Sequence, residues 1–186
     1  MKKYALATLV ITSLLTIFAG NVLADRDGDE YGNKYRSSDS KGGSGVAAVN
    51  NKLYADECGS CHFAYQPGLL PERSWRDMMA KLDDHFGENA ELDDADRQAL
   101  TDYLSANAAD HSNYKRSIKF MRSIGSNETP ERITNVAYFK RKHREVPRRI
   151  LDKVSLSNCQ QCHTKADRGS YSEREIDIPG YGRWED

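Results

Sequence analysis

Residues 58–62 read Cys-Gly-Ser-Cys-His, and residues 159–163 repeat the pattern as Cys-Gln-Gln-Cys-His. In both copies two thiols are separated by two residues, and a histidine follows at once. Such a CxxCH pentapeptide is the attachment motif for c-type haem. Two copies with no cysteine left over make the match specific. The four cysteines of the 186-residue chain are Cys58, Cys61, Cys159 and Cys162.

The chemistry of the motif gives each of its residues a role. The thiols add to the two vinyl groups of haem as thioethers, and the histidine becomes the proximal ligand of the iron. The sequence therefore predicts two covalently bound haem c groups, with His62 and His163 as the proximal iron ligands.

Three other uses of paired cysteines fit the sequence less well. A structural zinc site usually has its two CxxC pairs much closer together than Cys61 and Cys159 are here. A thioredoxin-like redox pair needs a βαβ setting, and neither copy has one. Simple disulfides would explain an even number of cysteines in an exported protein, but not the histidine after each pair.

Residues 1–24 have the layout of a secretory signal peptide. Lys2 and Lys3 form a positive start, residues 5–18 are almost wholly apolar, and small residues ending at Ala24 form a cleavage site. An uncleaved membrane anchor is the alternative, although the apolar run is short for one. Because c-type haem is attached on the outer side of the bacterial inner membrane, the predicted location is the periplasm.

The composition indicates a mildly acidic mature protein. The chain has 27 Lys and Arg against 28 Asp and Glu, and removal of the signal peptide would leave 25 basic residues and a formal charge of −3. This balance lacks the basic excess of a nucleic-acid-binding protein. Residues 25–45 are charged, Gly/Ser-rich and poor in aliphatic side chains, so a flexible polar leader is predicted there. Two c-type haem domains are expected to follow, at residues 46–112 and 113–186.

The first of these domains is predicted to contain three helices. Val46, Val49 and Leu53 have helical spacing, which favours a helix packed on one face. A domain of this size has a small core, so we expect haem to complete it and the haem-free domain to be poorly folded. The predicted helices run from Val46 to Cys58, from Ser74 as N-cap to residues 85–87, and from Asp93 or Asp94 to about Ala108.

The second domain is predicted to be sparser in helices. Thr129 and Pro130 are typical of a helix start with proline at the first position, and this helix should end before Pro147. A short helix from Pro147 to Val154 should lead into the second motif. The chain beyond Cys162 is predicted to be mostly irregular. The expected fold class is therefore mainly α, with two small haem domains, the second largely irregular.

The second axial ligand of each iron decides what chemistry the iron can do. His85, His111 and His143 remain after the two motif histidines are assigned. His85 precedes a Phe-Gly turn that can present a side chain inward, and His143 ends an amphipathic helix, so both are well placed as distal ligands. His111 lies in a polar setting and is expected to be exposed, with a ligand role left open. Met78 and Met79 are expected to pack in the core.

Several residues outside the pentapeptides form a recognisable set: Glu57, Leu69-Leu70-Pro71, Trp75, His85-Phe86-Gly87, Asn158 and Ile178-Pro179. Together with the two motifs, this set resembles the bacterial dihaem cytochrome c family over nearly the whole chain after the leader. The resemblance implies a periplasmic electron-transfer protein. Its N-terminal domain would be like the class I cytochromes c, its C-terminal haem domain distinct, and each iron would have two histidine ligands. On that basis His85 and His143 are the expected distal ligands, with the pairing of each to a particular haem left open.

Irons closed by two histidines leave outer-sphere electron transfer at low potential as the expected function. The resemblance implies a membrane b-type cytochrome as donor and a periplasmic haem protein as acceptor. We expect a monomer with no small-molecule substrate and no nucleic-acid partner. The alternative is a haem enzyme or sensor with one open iron, like peroxidases or gas-binding proteins. The basic run at residues 140–149 is interpreted as a solvated helix face, with a docking patch as the alternative.

Overall fold

Residues 43–184 are described by the computed structural model. The predicted signal peptide and residues 25–42 of the predicted leader lie outside them. The described part of the chain is mainly helical, as predicted, and none of its helices is long and apolar enough to cross a membrane. Its helices and strands are α1 (Lys52–Cys58), α2 (Glu72–Met79), α3 (Asp94–Ala106), α4 (Lys115–Arg122), α5 (Ala137–His143), α6 (Arg148–Leu151), β1 (Asp177–Ile178) and β2 (Gly182–Arg183), the strands pairing antiparallel.

The segment ahead of the first motif is extended before it becomes helical. The side chain of Asn51 caps α1 by accepting a hydrogen bond from the N–H of Tyr54 at 3.0 Å. Val46, five residues earlier, is buried, and its N–H donates to the carbonyl of Gly169 at 2.9 Å. The helix predicted from Val46 is therefore wrong in its first half, because Val46 pairs with a distant loop instead of the next turn. Its second half is confirmed, since α1 runs into Cys58.

Close approach of two backbones requires glycine at this crossing. A Cβ on Gly45 would lie 2.0 Å from the carbonyl oxygen of Gly169, and a Cβ on Gly169 would meet the entering backbone at 2.1 Å. The same segment is bonded to the start of α4. The N–H groups of Lys115 and Arg116 donate to the carbonyls of Gly43 and Gly45 at 3.1 and 3.2 Å. The start of the described chain is thus held between α4 and the loop after the second motif.

α2 begins directly after a proline. Pro71 occupies the N-cap position with φ −69° and offers no side-chain hydrogen bond, while Ser74 lies inside the first turn and is fully buried. The prediction of Ser74 as the N-cap is therefore wrong, because the fixed φ of proline already sets the helix start. The helix also ends earlier than predicted, at Met79, and a 3₁₀ turn at Leu82–Asp84 covers part of the remainder.

α3, α4 and α6 show where local sequence signals are sufficient. The predicted start of a helix at Asp93 or Asp94 is confirmed, since the side chain of Asp93 caps α3 by accepting from the N–H of Asp96 at 2.8 Å. A helix following Pro147 is confirmed as α6, although it ends at Leu151 instead of Val154. α4 has no counterpart in the prediction, because four of its eight side chains are Lys or Arg.

The helix predicted from Thr129 to before Pro147 is wrong in its first part, since α5 begins only at Ala137, and it is confirmed over Ala137–His143. Arg73 of α2 holds the preceding loop in place. Its guanidinium donates to the carbonyl of Glu128 at 2.6 Å and to the carbonyl of Gly125 at 3.0 Å. These tertiary hydrogen bonds hold the backbone just before Thr129 in a loop, although the local sequence pattern predicts a helix start at Thr129.

One buried apolar cluster extends through both predicted domains. From the first it includes Leu70, Leu100 and Leu104, and from the second Phe120 and Tyr138, whose rings meet edge-on with centroids 5.1 Å apart. Apolar packing is therefore continuous across residue 112. The division into domains at residues 46–112 and 113–186 stays a prediction.

Candidate functional site

The two CxxCH motifs follow different local structures. Cys58 is the last residue of α1, whereas residues 159–161 form a 3₁₀ turn. The four cysteines form no disulfide with one another in the structure. Burial, with a smaller contribution from Glu57, raises the pKa of Cys58 to about 11, and burial raises the pKa of Cys159 to about 11 as well. Before haem is attached, both thiols would therefore be protonated at neutral pH.

A zinc site would need several cysteine or histidine atoms to converge. Among residues 43–184, the one group of three such ligand atoms consists of Glu72, Asp110 and His111, and it contains no cysteine. The motifs therefore do not assemble a zinc centre in the described part of the chain.

The first pair of histidines is formed by His62 and His85. Their ring centroids are 6.2 Å apart, and the ring planes differ by only 22°. His62 Nδ1 lies 2.8 Å from the carbonyl of Phe63, so Nδ1 carries the proton and the Nε2 lone pair is left available. Tyr65 stacks on His62 with centroids 5.1 Å apart and restricts the tilt of its ring. We call His62 and His85 the first site.

A tight turn presents His85. Its N–H donates to the carbonyl of Glu88 at 2.8 Å, and the two residues between them have positive φ, +60° at Phe86 and +98° at Gly87. Two successive positive φ values define a type I′ turn. Phe86 is the one non-glycine residue of positive φ in the described part of the chain, so the turn that carries His85 stores backbone strain.

The second pair is formed by His143 and His163, with ring centroids 6.1 Å apart and ring planes at 74°. His143 is the last residue of α5. Its Nδ1 lies 2.9 Å from the carbonyl of Phe139, and its ring stacks on the Phe139 ring at 3.9 Å. The Nδ1 of His163 is buried with no hydrogen-bond partner among the described residues, and its ring packs against Tyr171 at 5.2 Å. We call His143 and His163 the second site.

The first strand of the β1–β2 hairpin and the residues just before it hydrogen-bond to the backbone of the second motif. The N–H of Asp177 donates to the carbonyl of Cys162 at 2.9 Å, and the N–H of Thr164 donates to the carbonyl of Glu175 at 3.1 Å. These two bonds hold the backbone on both sides of His163. The C-terminal residues thus position a motif although they form no α-helix.

The spacing of both pairs fits an iron between two imidazoles. With each nitrogen about 2 Å from the metal and about 1.1 Å from its ring centre, the two ring centres would lie about 6.2 Å apart. Both observed separations match this value. Burial lowers the pKa of His85, of His143 and, to about 4, of His163. These rings are therefore neutral at pH 7 and keep the lone pair that a metal needs.

The remaining candidate ligands lie elsewhere. His111 is half exposed, and its Nε2 lies 2.7 Å from a carboxylate oxygen of Glu72. This bond raises the pKa of His111, so the residue serves as an ion-pair partner. Met79 belongs to the buried cluster and Met78 packs against it, which confirms their prediction as core residues.

Hydrogen bonds connect the two motifs directly. The N–H of Phe63 donates to the side-chain oxygen of Asn158 at 3.2 Å, and the hydroxyl of Tyr65 donates to the carbonyl of Ser157 at 2.9 Å. Phe63 and Tyr65 lie just after the first motif, and Ser157 and Asn158 lie just before the second. The tyrosine that stacks on His62 is thus also bonded next to the second motif.

Arg116 is a functional candidate that the sequence does not reveal. Its guanidinium donates to the hydroxyl of Tyr138 and to the carbonyl of Tyr171, both at 3.2 Å. Its Cζ lies 5.7 Å from the centre of the Tyr171 ring. No motif surrounds Arg116 in sequence, and its partners lie 22 and 55 residues away.

The basic run at residues 140–149 is only partly paired. Lys142 and Arg144 contact carboxylates of Glu173 and Glu145, at 3.4 and 3.3 Å. Arg141 lies over the ring of Tyr138 at 5.2 Å. The run is thus largely a solvated face beside the second site, and the alternative of a docking patch stays open.

Comparisons with known proteins agree with this geometry. The family described as Dihaem cytochrome c matches residues 54–171. A diheme cytochrome c from Rhodobacter sphaeroides is similar in structure, with a TM-score of 0.62, 47% identity, and coverage of 68% of this chain and 100% of that chain. A diheme cytochrome type c from Shewanella baltica OS155 has a TM-score of 0.60, 39% identity, and coverage of 73% and 98%. No curated protein gives a significant match. With 63% of its residues inside the family match, the chain belongs to the dihaem cytochrome c family, and so it carries two c-type haems and transfers electrons instead of acting as an enzyme.

Proposed function

We propose that this protein is a periplasmic electron carrier that connects a membrane-bound donor to a soluble haem-protein acceptor through two low-potential bis-histidine haems. The observation that carries the proposal is the presence of two histidine pairs, each spaced for one iron, at 6.2 and 6.1 Å. The family resemblance of the sequence supports a membrane b-type cytochrome as the donor. The export signal predicted at residues 1–24 supports the periplasm. A monomer remains the expectation.

Each site uses its own chain segments to hold its haem. We assign Cys58 and Cys61 as the thioether residues of the first site, where His62 is the proximal ligand and His85 the distal ligand. At the second site the thioether residues are Cys159 and Cys162, the proximal ligand is His163 and the distal ligand is His143. When bound, each haem supplies an iron that alternates between the ferric and ferrous states.

With haem bound, the two histidines of each site would hold the iron from both sides. Histidine on both sides leaves no position for a substrate or for peroxide, so the residues restrict the chemistry to outer-sphere transfer. Imidazole also lacks the potential-raising effect of a methionine thioether, which is why low potentials are expected. The bonds from Phe63 and Tyr65 to Asn158 and Ser157 hold the two motifs at a fixed separation.

Coordination can be tested by electron paramagnetic resonance of the oxidised protein and by addition of carbon monoxide after reduction. We expect two low-spin signals and no carbon monoxide binding. The two signals should differ, because the g values of a low-spin ferric haem depend on the angle between its imidazole planes, which is 22° at the first site and 74° at the second. A high-spin signal, or a haem that readily binds carbon monoxide, would contradict the proposal and support the alternative of a sensor with an open iron.

A further inference from the structure

We propose that the guanidinium of Arg116 raises the reduction potential of the second site above that of the first, so that electrons entering the protein settle at the second site. This inference rests on the proposed function, because it assumes a closed haem at each site.

Arg116 is fixed beside the second site by the elements that carry it. Its two hydrogen-bond partners are Tyr138, which lies on α5 with His143, and Tyr171, whose ring packs on His163 at 5.2 Å. The guanidinium is therefore one side chain away from His163, and it is bonded to the helix that ends at His143. Its positive charge also lowers the pKa of both His143 and His163, after the larger effect of burial.

The Arg116 side chain is partly buried, and no carboxylate of the described residues contacts it. Its Nε has almost no accessible surface and no hydrogen-bond partner among residues 43–184. Within that range its contacts are a hydroxyl, a carbonyl and an aromatic ring, all neutral. A charge in such surroundings acts at a lower effective dielectric constant than one in water, so its field reaches further.

The first site has a cation of a different kind. Arg132 lies over the ring of Phe86 at 3.8 Å, next to His85, but the residue is exposed. Solvent and salt screen an exposed charge far more than a buried one. Each site therefore has one neighbouring arginine that, after the larger effect of burial, lowers the pKa of a histidine of its pair, but the arginine of the first site is exposed and screened, whereas that of the second is partly buried.

The sign of the effect follows from charge alone. Reduction removes one positive charge from a ferric site, so a nearby fixed cation favours the reduced state and raises the potential. Arg116 therefore makes the second site the easier one to reduce. Electrons supplied to the first site would move on to the second, which is also the side with the basic run at residues 140–149.

The test compares three variants in a redox titration followed by electron paramagnetic resonance, in which the 22° and 74° ring angles separate the two sites. Arg116→Gln removes the charge and keeps a hydrogen-bonding side chain. Lys115→Gln removes the same charge from the exposed neighbouring residue on α4. Arg116→Lys keeps the positive charge but loses the planar guanidinium. It therefore tests whether a change of packing, without a change of charge, alters the potential.

We expect Arg116→Gln to raise the oxidised-to-reduced ratio of the second site about tenfold at a given solution potential, which equals about 59 mV for one electron. The same ratio at the first site of Arg116→Gln should change less than twofold. At both sites of Lys115→Gln and of Arg116→Lys it should also change less than twofold. An unchanged second site in Arg116→Gln, or an equal change in either of the other variants, would overturn the inference. Those outcomes leave the two low-spin signals intact, whereas failure of the proposed function would appear as a high-spin or carbon monoxide-binding haem in the unaltered protein.

Discussion

His85 and His143 each hold one distal position, so each can be removed without touching the other site. We predict that His85→Ala opens the first iron and His143→Ala opens the second. After reduction each variant should bind carbon monoxide at one haem. In the oxidised state, His85→Ala should lose the low-spin signal of the near-parallel pair, and His143→Ala that of the near-perpendicular pair.

The matched control for these two variants is His111→Ala. Because His111 bonds to Glu72 and lies in neither pair, this variant should keep both low-spin signals and bind no carbon monoxide. Loss of the second-site signal in His85→Ala would contradict the pairing of the histidines.

At the scale of single residues, the sequence identifies groups whose partners are close in sequence. The cysteines and proximal histidines are adjacent, so their roles follow from the motif alone. His85 and His143 could be selected from the sequence as distal candidates. Their partners could not, because His85 lies 23 residues from His62 and His143 lies 20 residues from His163, and only the folded chain brings each pair together. Arg116 escapes prediction entirely, because each of its contacts depends on tertiary structure.

At the scale of elements, the strained turn at Phe86 and Gly87 sets the position of His85. We predict that Gly87→Ala lowers the free energy of unfolding by about 1–2 kcal/mol, because φ at this position is +98° and alanine is destabilised in a left-handed backbone conformation. A Cβ at this position would meet no atom within 4 Å, so the effect is conformational. Denaturant unfolding measures the loss, and carbon monoxide binding at the first site reports release of His85.

Gly180→Ala is the control for the turn. Gly180 also has positive φ, +78°, and open space around its Cβ position, but it lies between β1 and β2. This variant should lose similar stability without making the first haem accessible. If Gly87→Ala and Gly180→Ala bound carbon monoxide equally at the first haem, general destabilisation, and not the turn at Phe86 and Gly87, would control access to the iron.

Element boundaries followed from the sequence where the decisive contact is local. Asp93 caps α3 through an N–H three residues away, and a helix start at Asp93 or Asp94 was predicted. Val46 and Thr129 were predicted to be helical, but Val46 bonds to the distant Gly169, and the backbone just before Thr129 accepts hydrogen bonds from Arg73. Periodicity cannot report such contacts, because it uses only neighbouring positions.

At the scale of the whole molecule, the two motifs are joined by bonds that span more than 90 residues. We predict that Tyr65→Phe lowers the free energy of unfolding by about 1 kcal/mol, because it removes the hydroxyl that donates to Ser157 and keeps the ring stacked on His62. Thermal or denaturant unfolding, followed at the haem absorbance, measures this change.

Tyr103→Phe is the control for that bond. The hydroxyl of Tyr103 only accepts a long bond, 3.4 Å, from the N–H of Asn50 at an exposed position. Its removal should cost clearly less than removal of the Tyr65 hydroxyl. If the two variants lost equal stability, the bond between the motifs would have no special part in holding the molecule together.

The carbonyl of Gly43 bonds to the N–H of Lys115, one residue before Arg116. This geometry has a use in bioelectronics. A thiol linker engineered at the exposed Lys115 would tether the protein to a gold electrode by the side that holds the second site. Current exchanged with the electrode would then pass first through the haem for which we propose the higher potential, whereas a linker on the turn of Gly87 would reverse that order.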